Sequence, residues 1–230
     1  MGIAYCIFEN QIIVCYNIML RKSELQSKNY RGTEASSDIS SVVTILNYFH
    51  PVSEGIVKFL KEHAYSVFFN KGELLLEEGQ VCEHIYFIRK GVVRGFIKEG
   101  KKDITTWITA EGEMVSSILS FERKGSSIEN MQAIEDCEML ALTLVDLEKL
   151  YEQFPEFNIV SRKLLQQYYS DAEGRAFIAR LTNAETRYKQ FLTRYSHFAN
   201  RIPLTYIASF LGMTLETLSR VRRKLSTKKI

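Results

Sequence analysis

Cysteine, histidine and proline are all scarce in this 230-residue chain. The four cysteines (Cys6, Cys15, Cys82 and Cys137) nowhere fall at C-x-x-C spacing, and His50, His63, His84 and His197 are scattered. That argues against a zinc or iron–sulfur site, so no metal ligands are expected, and the cysteine count suits a reduced cytosolic protein. No Ser/His/Asp or Cys/His arrangement and no Gly-rich phosphate loop stands out, so the chain does not read as an enzyme. The apolar stretch "IAYCIFENQIIVCYNIML" is broken by Glu9, Asn10 and Gln11 and is too interrupted for a membrane span. It has no basic run ahead of it, which argues against a signal peptide. From these absences a cytoplasmic chain with no membrane partner and no cofactor is expected. The three prolines, Pro51, Pro155 and Pro203, fall where element boundaries are expected, because proline suits a helix start and resists a helix interior.

What is present is an ordinary globular composition, 46% hydrophobic and 25% charged, with twelve Tyr and fourteen Phe as core material. The formal net charge of +3 hides an asymmetry. From residue 183 onward there are ten Lys/Arg against only Glu185 and Glu216, whereas residues 1–182 carry 20 against 25 acids. A basic end on an acidic body fits a polyanionic partner. A solvated basic tail fits the charge equally well.

Residues 1–38 read as a poorly ordered leader, one that could lie upstream of the native start. An amphipathic helix is expected near Ser53 to His63, with Ile56, Val57, Phe59 and Leu60 on its apolar face. Short aromatic and β-branched runs follow, from "YSVFFNKGELLLEEGQ" to "CEMLALT", punctuated by Gly72, Gly79, Gly91, Gly100 and Gly112. Such spacing predicts short antiparallel strands closed into a sandwich or barrel. From Leu144 the period becomes helical, with a helix stopped at Pro155. A long helix follows over residues 155–181. Phe157, Val160, Leu164, Tyr168 and Ala172 recur along it at three- and four-residue steps, and this stripe is expected to form a dimer seam. The alternative is that it packs on its own domain. Gln167, Asp171 and Gly174 interrupt the middle of the helix. Thr182, followed by Glu185, reads as a capping box opening the next helix.

The segment Leu204 to Val221 fits a helix-turn-helix. Ile207, Ala208 and Leu211 face inward on the first helix, Gly212 occupies the turn, and Thr214 caps the second helix. Leu218 and Val221 bury the second helix, which turns Glu216, Thr217, Ser219, Arg220 and Arg223 outward. The N-terminal part of such a helix enters the major groove. Arginine can bond O6 and N7 of guanine together, and a carboxylate can accept from N4 of cytosine. Glu216 and Arg220, with Ser219 beside them, are therefore the expected base readers. Thr205, Thr214, Thr217, Arg201, Arg222, Arg223 and Lys224 are the other expected DNA contacts, mainly to backbone. The bland account is a Glu216–Arg220 ion pair worth about 0.2–0.5 kcal/mol on a solvated helix. It does not explain why the small residue, the glycine and the apolar positions fall in one register.

The order of β-rich part, long helix and "LTYIASFLGMTLETLSRVRRKL" resembles the CRP/FNR family of bacterial transcription regulators over about residues 45–225. The Glu216-Thr217-x-Ser219-Arg220 core is the specific match. The resemblance implies an α+β fold: a β-roll effector domain like that of cyclic-nucleotide-binding proteins over 39–154, a dimerisation helix over 155–181, and a C-terminal winged helix-turn-helix over 182–230. It implies a homodimer on double-stranded DNA, with RNA polymerase as a further partner. Leu215 before Glu216, together with Ser219, follows the FNR branch, which implies a palindrome with TTGA-like halves. The rival reading is a ligand-binding module of the cyclic-nucleotide type that does not bind DNA.

In the family's nucleotide-binding members a Gly-Glu pair opens the phosphate loop and a later arginine neutralises the cyclic phosphate. This chain has Gly112 and Glu113, but Ser126 or Ser127 stands where that arginine belongs. A buried phosphate needs a paired charge, so cyclic AMP is not the expected effector. The N-terminal cysteine cluster of the iron–sulfur sensors is also absent. An unidentified small molecule, or none, is what remains for these effector-pocket positions.

Overall fold

The computed structural model describes residues 38–227. The expected leader, with Cys6 and Cys15, lies outside the described residues apart from Asp38. Helices α1 (Ser40–Phe49) and α2 (Glu54–His63) open the described chain. Ser53 caps α2, its Oγ accepting from the Ile56 N–H at 3.4 Å. Helix α1 was not anticipated, although Val42 and Leu46 are buried on one face of it.

The strands β1 (Tyr65–Phe69), β2 (Leu74–Leu76), β3 (His84–Lys90), β4 (Val93–Glu99), β5 (Lys102–Thr109), β6 (Met114–Val115), β7 (Asn130–Ala133) and β8 (Cys137–Thr143) form two four-stranded sheets. Their orders are β1-β8-β3-β6 and β2-β7-β4-β5, and every pairing is antiparallel. The aromatic and β-branched runs thus form the β-roll, with Ile88, Val93, Met131 and Met139 buried between the sheets. A short helix, α3 (Ile118–Arg123), lies between β6 and β7.

Helix α4 (Leu144–Gln153) is capped by Thr143, whose Oγ1 accepts from the Asp146 N–H at 3.1 Å. Helix α5 (Pro155–Arg180) starts on its proline, where the missing N–H costs nothing. It is followed by α6 (Ala184–Tyr195), a 3₁₀ turn at Ala199–Arg201, α7 (Leu204–Phe210) and α8 (Leu215–Thr227). Among the described residues no strand follows α8, so the winged part of the expectation has no counterpart there. The cap of α6 is Asn183, not Thr182. Asn183 Oδ1 accepts from the Thr186 N–H at 3.0 Å. Glu185 turns instead to Lys189 and Lys224.

The expected dimer stripe is also corrected. Phe157 and Val160 are buried in the chain's own core with Leu46, Phe59 and Leu150, and Leu164 packs against that cluster. Tyr168 reaches the β-roll, where its hydroxyl accepts from the Met114 N–H at 2.8 Å. Of the five positions only Ala172 is exposed. Periodicity located a buried face, but the sequence did not say that the covering surface belonged to the same chain. The polar break is occupied as well. Asp171 pairs with Arg194 of α6, and a side chain on Gly174 would come within 2.9 Å of the same guanidinium. The outer face of α5 carries Leu165 and Tyr169, 55% and 68% exposed, and then Ala172 and Ala176. Tyr151 and Arg162 line a groove beside the first two.

Candidate nucleic-acid interface

The helix-turn-helix is assembled from its core outward. Ile207, Ala208 and Leu211 of the first helix and Leu218 and Val221 of the second are buried in one cluster with Tyr188, Phe191 and Tyr195 of α6. Full burial of a Leu or Val stabilises by about 1.5–3 kcal/mol, which is enough to fix which face of α8 points out. The turn between α7 and α8 requires a left-handed residue, and Gly212 supplies it at φ 59°. Thr214 Oγ1 then accepts from the Thr217 N–H at 3.2 Å and caps α8. It also donates to Thr217 Oγ1 at 3.2 Å, so Thr217 is tied into the cap.

With that face buried, Glu216, Ser219 and Arg220 are exposed on the first two turns of α8. Glu216 and Arg220 make no ion pair with each other, and among the described residues no carboxylate pairs with Arg220, Arg222 or Arg223. The Glu216 carboxyl is held below its ordinary value by its own backbone N–H and by the Thr214 hydroxyl. It is an ionised acceptor at neutral pH. Thr205 is exposed at the start of α7, Arg222 is half-buried and Arg223 exposed.

The remaining two expected phosphate contacts are already engaged. Lys224 Nζ lies 2.8 Å from Glu185 Oε2, and Lys189 lies 2.9 Å from its other oxygen. These two ammonium groups hold the Glu185 carboxyl down at about 2. Arg201 grips Glu111 through two bonds, Nη1 to Oε2 at 2.9 Å and Nη2 to Oε1 at 2.5 Å, and also binds Glu135. The guanidinium and the Gly91 N–H depress the Glu111 carboxyl to about 2, against a smaller opposing effect of burial.

One side chain that braces the helix-turn-helix escaped the sequence reading. Arg187 of α6 donates through Nη1 to the carbonyls of Leu211 and Gly212 at 2.6 and 3.2 Å. These carbonyls lie at the C-terminal end of α7, where orphan acceptors and the negative end of the helix dipole favour a cation. The only available signal was a basic residue directly before the aromatic run Tyr188, Phe191 and Tyr195, which is too weak to single out.

The nucleotide-pocket positions are tied up in the chain itself. Gly112 adopts φ 87°, its N–H donating to the Ile88 carbonyl at 2.9 Å, while Glu113 returns a carbonyl to the Ile88 N–H at 3.0 Å. Burial raises the Glu113 carboxyl, although Tyr168 and Arg194 favour its charged form. Ser127 is buried, with its hydroxyl donating to the Glu129 carbonyl at 2.8 Å and lying 3.1 Å from Ser117 Oγ. Ser126 is exposed and bridges Val81. Glu129 accepts from the Trp107 Nε1–H at 2.9 Å. Lys124 pairs with Glu148, and Arg123 is exposed on α3. Among the described residues no hydrogen bond brings a guanidinium or ammonium to Ser117, Ser120 or Ser127, so these residues do not fit a cyclic phosphate.

Among the described residues no helix is long and apolar enough to cross a membrane, and no group of three or more His, Cys, Asp or Glu could hold a metal ion. Residues 66–154 match the cyclic nucleotide-binding domain family. The chain is 26% identical over 166 residues to the fumarate and nitrate reduction regulatory protein of Yersinia pestis, covering 66% of this chain and 64% of that protein. It is 23% identical over 163 residues to the transcriptional regulatory protein btr of Bordetella pertussis, covering 66% of each. The match thus spans just under two thirds of these relatives' own length. Among solved structures, FixK2 from Bradyrhizobium japonicum superposes with a TM-score of 0.63 at 23% identity, covering 73% of this chain and 86% of that one. Residues 66–154 thus resemble a cyclic nucleotide-binding domain, and the two-sheet roll, long helix and terminal helix-turn-helix together share the fold of FixK2.

Proposed function

We propose that this regulatory protein is a cytoplasmic, sequence-specific DNA-binding transcription regulator that acts as a homodimer on a palindrome with TTGA-like halves. The observation that carries the reading is the display of Glu216, Ser219 and Arg220 on a helix start whose opposite face is buried, with the first and last left unpaired with each other. Arg220 reads guanine through O6 and N7, and Glu216 accepts from cytosine N4. Thr205, Arg222 and Arg223 contact phosphates, while Thr214 and Thr217 set the angle of the helix. Two-fold symmetry places the half-sites about one helical turn, roughly 34 Å, apart. The curated relatives are named as regulators, which supports the reading. RNA polymerase is the further partner proposed.

The dimer forms through the outer stripe of α5, Leu165, Tyr169, Ala172 and Ala176, because the inner stripe is spent on the β-roll. Tyr168 links that helix to Met114, beside Gly112 and Glu113, so a change at the β-roll reaches the dimer helix directly. The effector is not cyclic AMP, since Ser127 offers the cyclic phosphate no charge. Selection of sites from random duplexes at a stated salt concentration tests the function. A two-fold-symmetric motif with TTGA-like halves is expected, and failure to enrich any palindrome would overturn the reading.

A further inference from the structure

Arg201 differs from every other cation expected at DNA: it is held by carboxylates of the β-roll, outside its own helical unit. Glu111 offers both its oxygens to the guanidinium, and Glu135 closes the other side. Glu111 is itself pinned by the Gly91 N–H at 2.8 Å. Two carboxylates around a planar guanidinium present the same paired-oxygen geometry as a backbone phosphate.

The contact sits at the rim of a larger docking surface. Helix α7 lies on β5, where Ser209 Oγ accepts from the Thr105 N–H and donates to the Asp103 carbonyl, each at 2.9 Å. The Tyr206 ring covers the buried Arg94 guanidinium at 3.8 Å, with Phe96 on it at 4.1 Å. Val92, Ile108, Ala110 and Ile134 of the β-roll share one core with Ile207 and Leu211. The apolar core holds the helices in place. Arg201 and its two partners remain about one third exposed, at 36%, 34% and 31% of their side chains. Solvent reaches all three side chains, so the pairs are open to exchange, although their two-pronged geometry makes them stronger than an ordinary surface ion pair.

We propose that Glu111 and Glu135 act as an internal stand-in for a DNA phosphate. They occupy Arg201 until a duplex backbone replaces them, while the apolar core keeps the helices docked. The inference deepens the DNA-binding reading and rests on it. It has a thermodynamic signature. Each phosphate neutralised by a protein cation releases about 0.9 of a counterion from the duplex. If Arg201 leaves two carboxylates behind, they gather cations again and offset that release. The salt dependence of the wild type is therefore shallower than its number of phosphate contacts implies.

The test is a salt titration of binding to the selected duplex by wild type, by Glu111→Gln/Glu135→Gln, by Arg201→Ala, and by the combination of all three. The carboxamide pair is expected to bind roughly two- to tenfold tighter at low salt, with a slope steeper by up to about one unit. Adding Arg201→Ala should remove both gains. An unchanged or weaker carboxamide pair, or gains that survive loss of Arg201, overturns the inference. If the pair does not fold, Glu135→Gln alone, which leaves Glu111 in place, must show a smaller change of the same sign. Arg220→Ala serves as the control. Lost specificity there beside an unchanged carboxamide pair overturns the stand-in and leaves the DNA reading intact, whereas a wild type with no selected site overturns both.

Discussion

Arg187 reaches from α6 to the Leu211 carbonyl at 2.6 Å, and its guanidinium also covers the carbonyl of Gly212. One cation thereby holds the turn that sets the direction of α8. Hydrogen bonds to a charged group contribute about 1.5–3 kcal/mol. Arg187→Met, which keeps the stem and removes the donors, is expected to destabilise the fold by about 1–3 kcal/mol, measured by the denaturant midpoint. At temperatures where the variant remains folded, its preference for the selected duplex over random duplex should fall, because the turn no longer fixes Glu216 and Arg220.

Arg220→Ala should cost roughly 1–3 kcal/mol in specific binding and relax the preference at one base pair of each half-site. Competition between single-base variants of the selected duplex checks this.

For Lys224 the structure alters the expectation. A free phosphate contact would flatten the salt slope by about one unit when removed. Lys224 is paired with Glu185, so Lys224→Ala should flatten it by less, while Glu185→Gln should steepen it. Both are read from binding constants across a salt series.

Leu165→Asp combined with Tyr169→Asp places like charges on the outer stripe of α5, away from the chain's own core. The double variant is expected to keep its melting transition and sediment as a monomer. Because a palindrome rewards two linked heads, its affinity for the full site should fall toward that for a half-site.

Glu113 supplies a pH prediction. Burial raises its carboxyl above the ordinary 4.5, so the folded chain binds that proton more tightly than the unfolded one. This contribution is complete below the unfolded value and is lost as pH rises through the folded value. Glu113→Gln should therefore raise the melting temperature at about pH 7.5, and the gain should vanish by about pH 4.

The helix-turn-helix was legible because several local requirements coincide there: a small residue at a crossing, a left-handed glycine, a hydroxyl cap and apolar positions in step. The short antiparallel strands were legible from their aromatic and β-branched runs and glycine spacing, and the β-roll only through the family resemblance. Long-range pairing was not. A stripe such as Phe157 and Val160 declares that it is covered, but the covering residues, Leu46 and Phe59, lie about a hundred positions away. Arg201 and Lys224 read as free cations available to DNA phosphates because Glu111, Glu135 and Glu185 are distant in sequence or on another helix. Thr182 lost the cap to Asn183 by a single residue: both types accept from a helix start, and asparagine is the stronger cap.

The apolar cluster that Val92, Ile108 and Ile134 share with Ile207 and Leu211 has a bearing on modularity. A helix-turn-helix cut from this chain would carry a greasy underside that its native neighbour normally hides. Transplanting it onto a foreign sensor would require either rebuilding that underside in polar residues or importing the β4–β5 hairpin along with it. The β-roll and the terminal helices of this chain are therefore a matched pair, and a change on one face constrains what the other can accept.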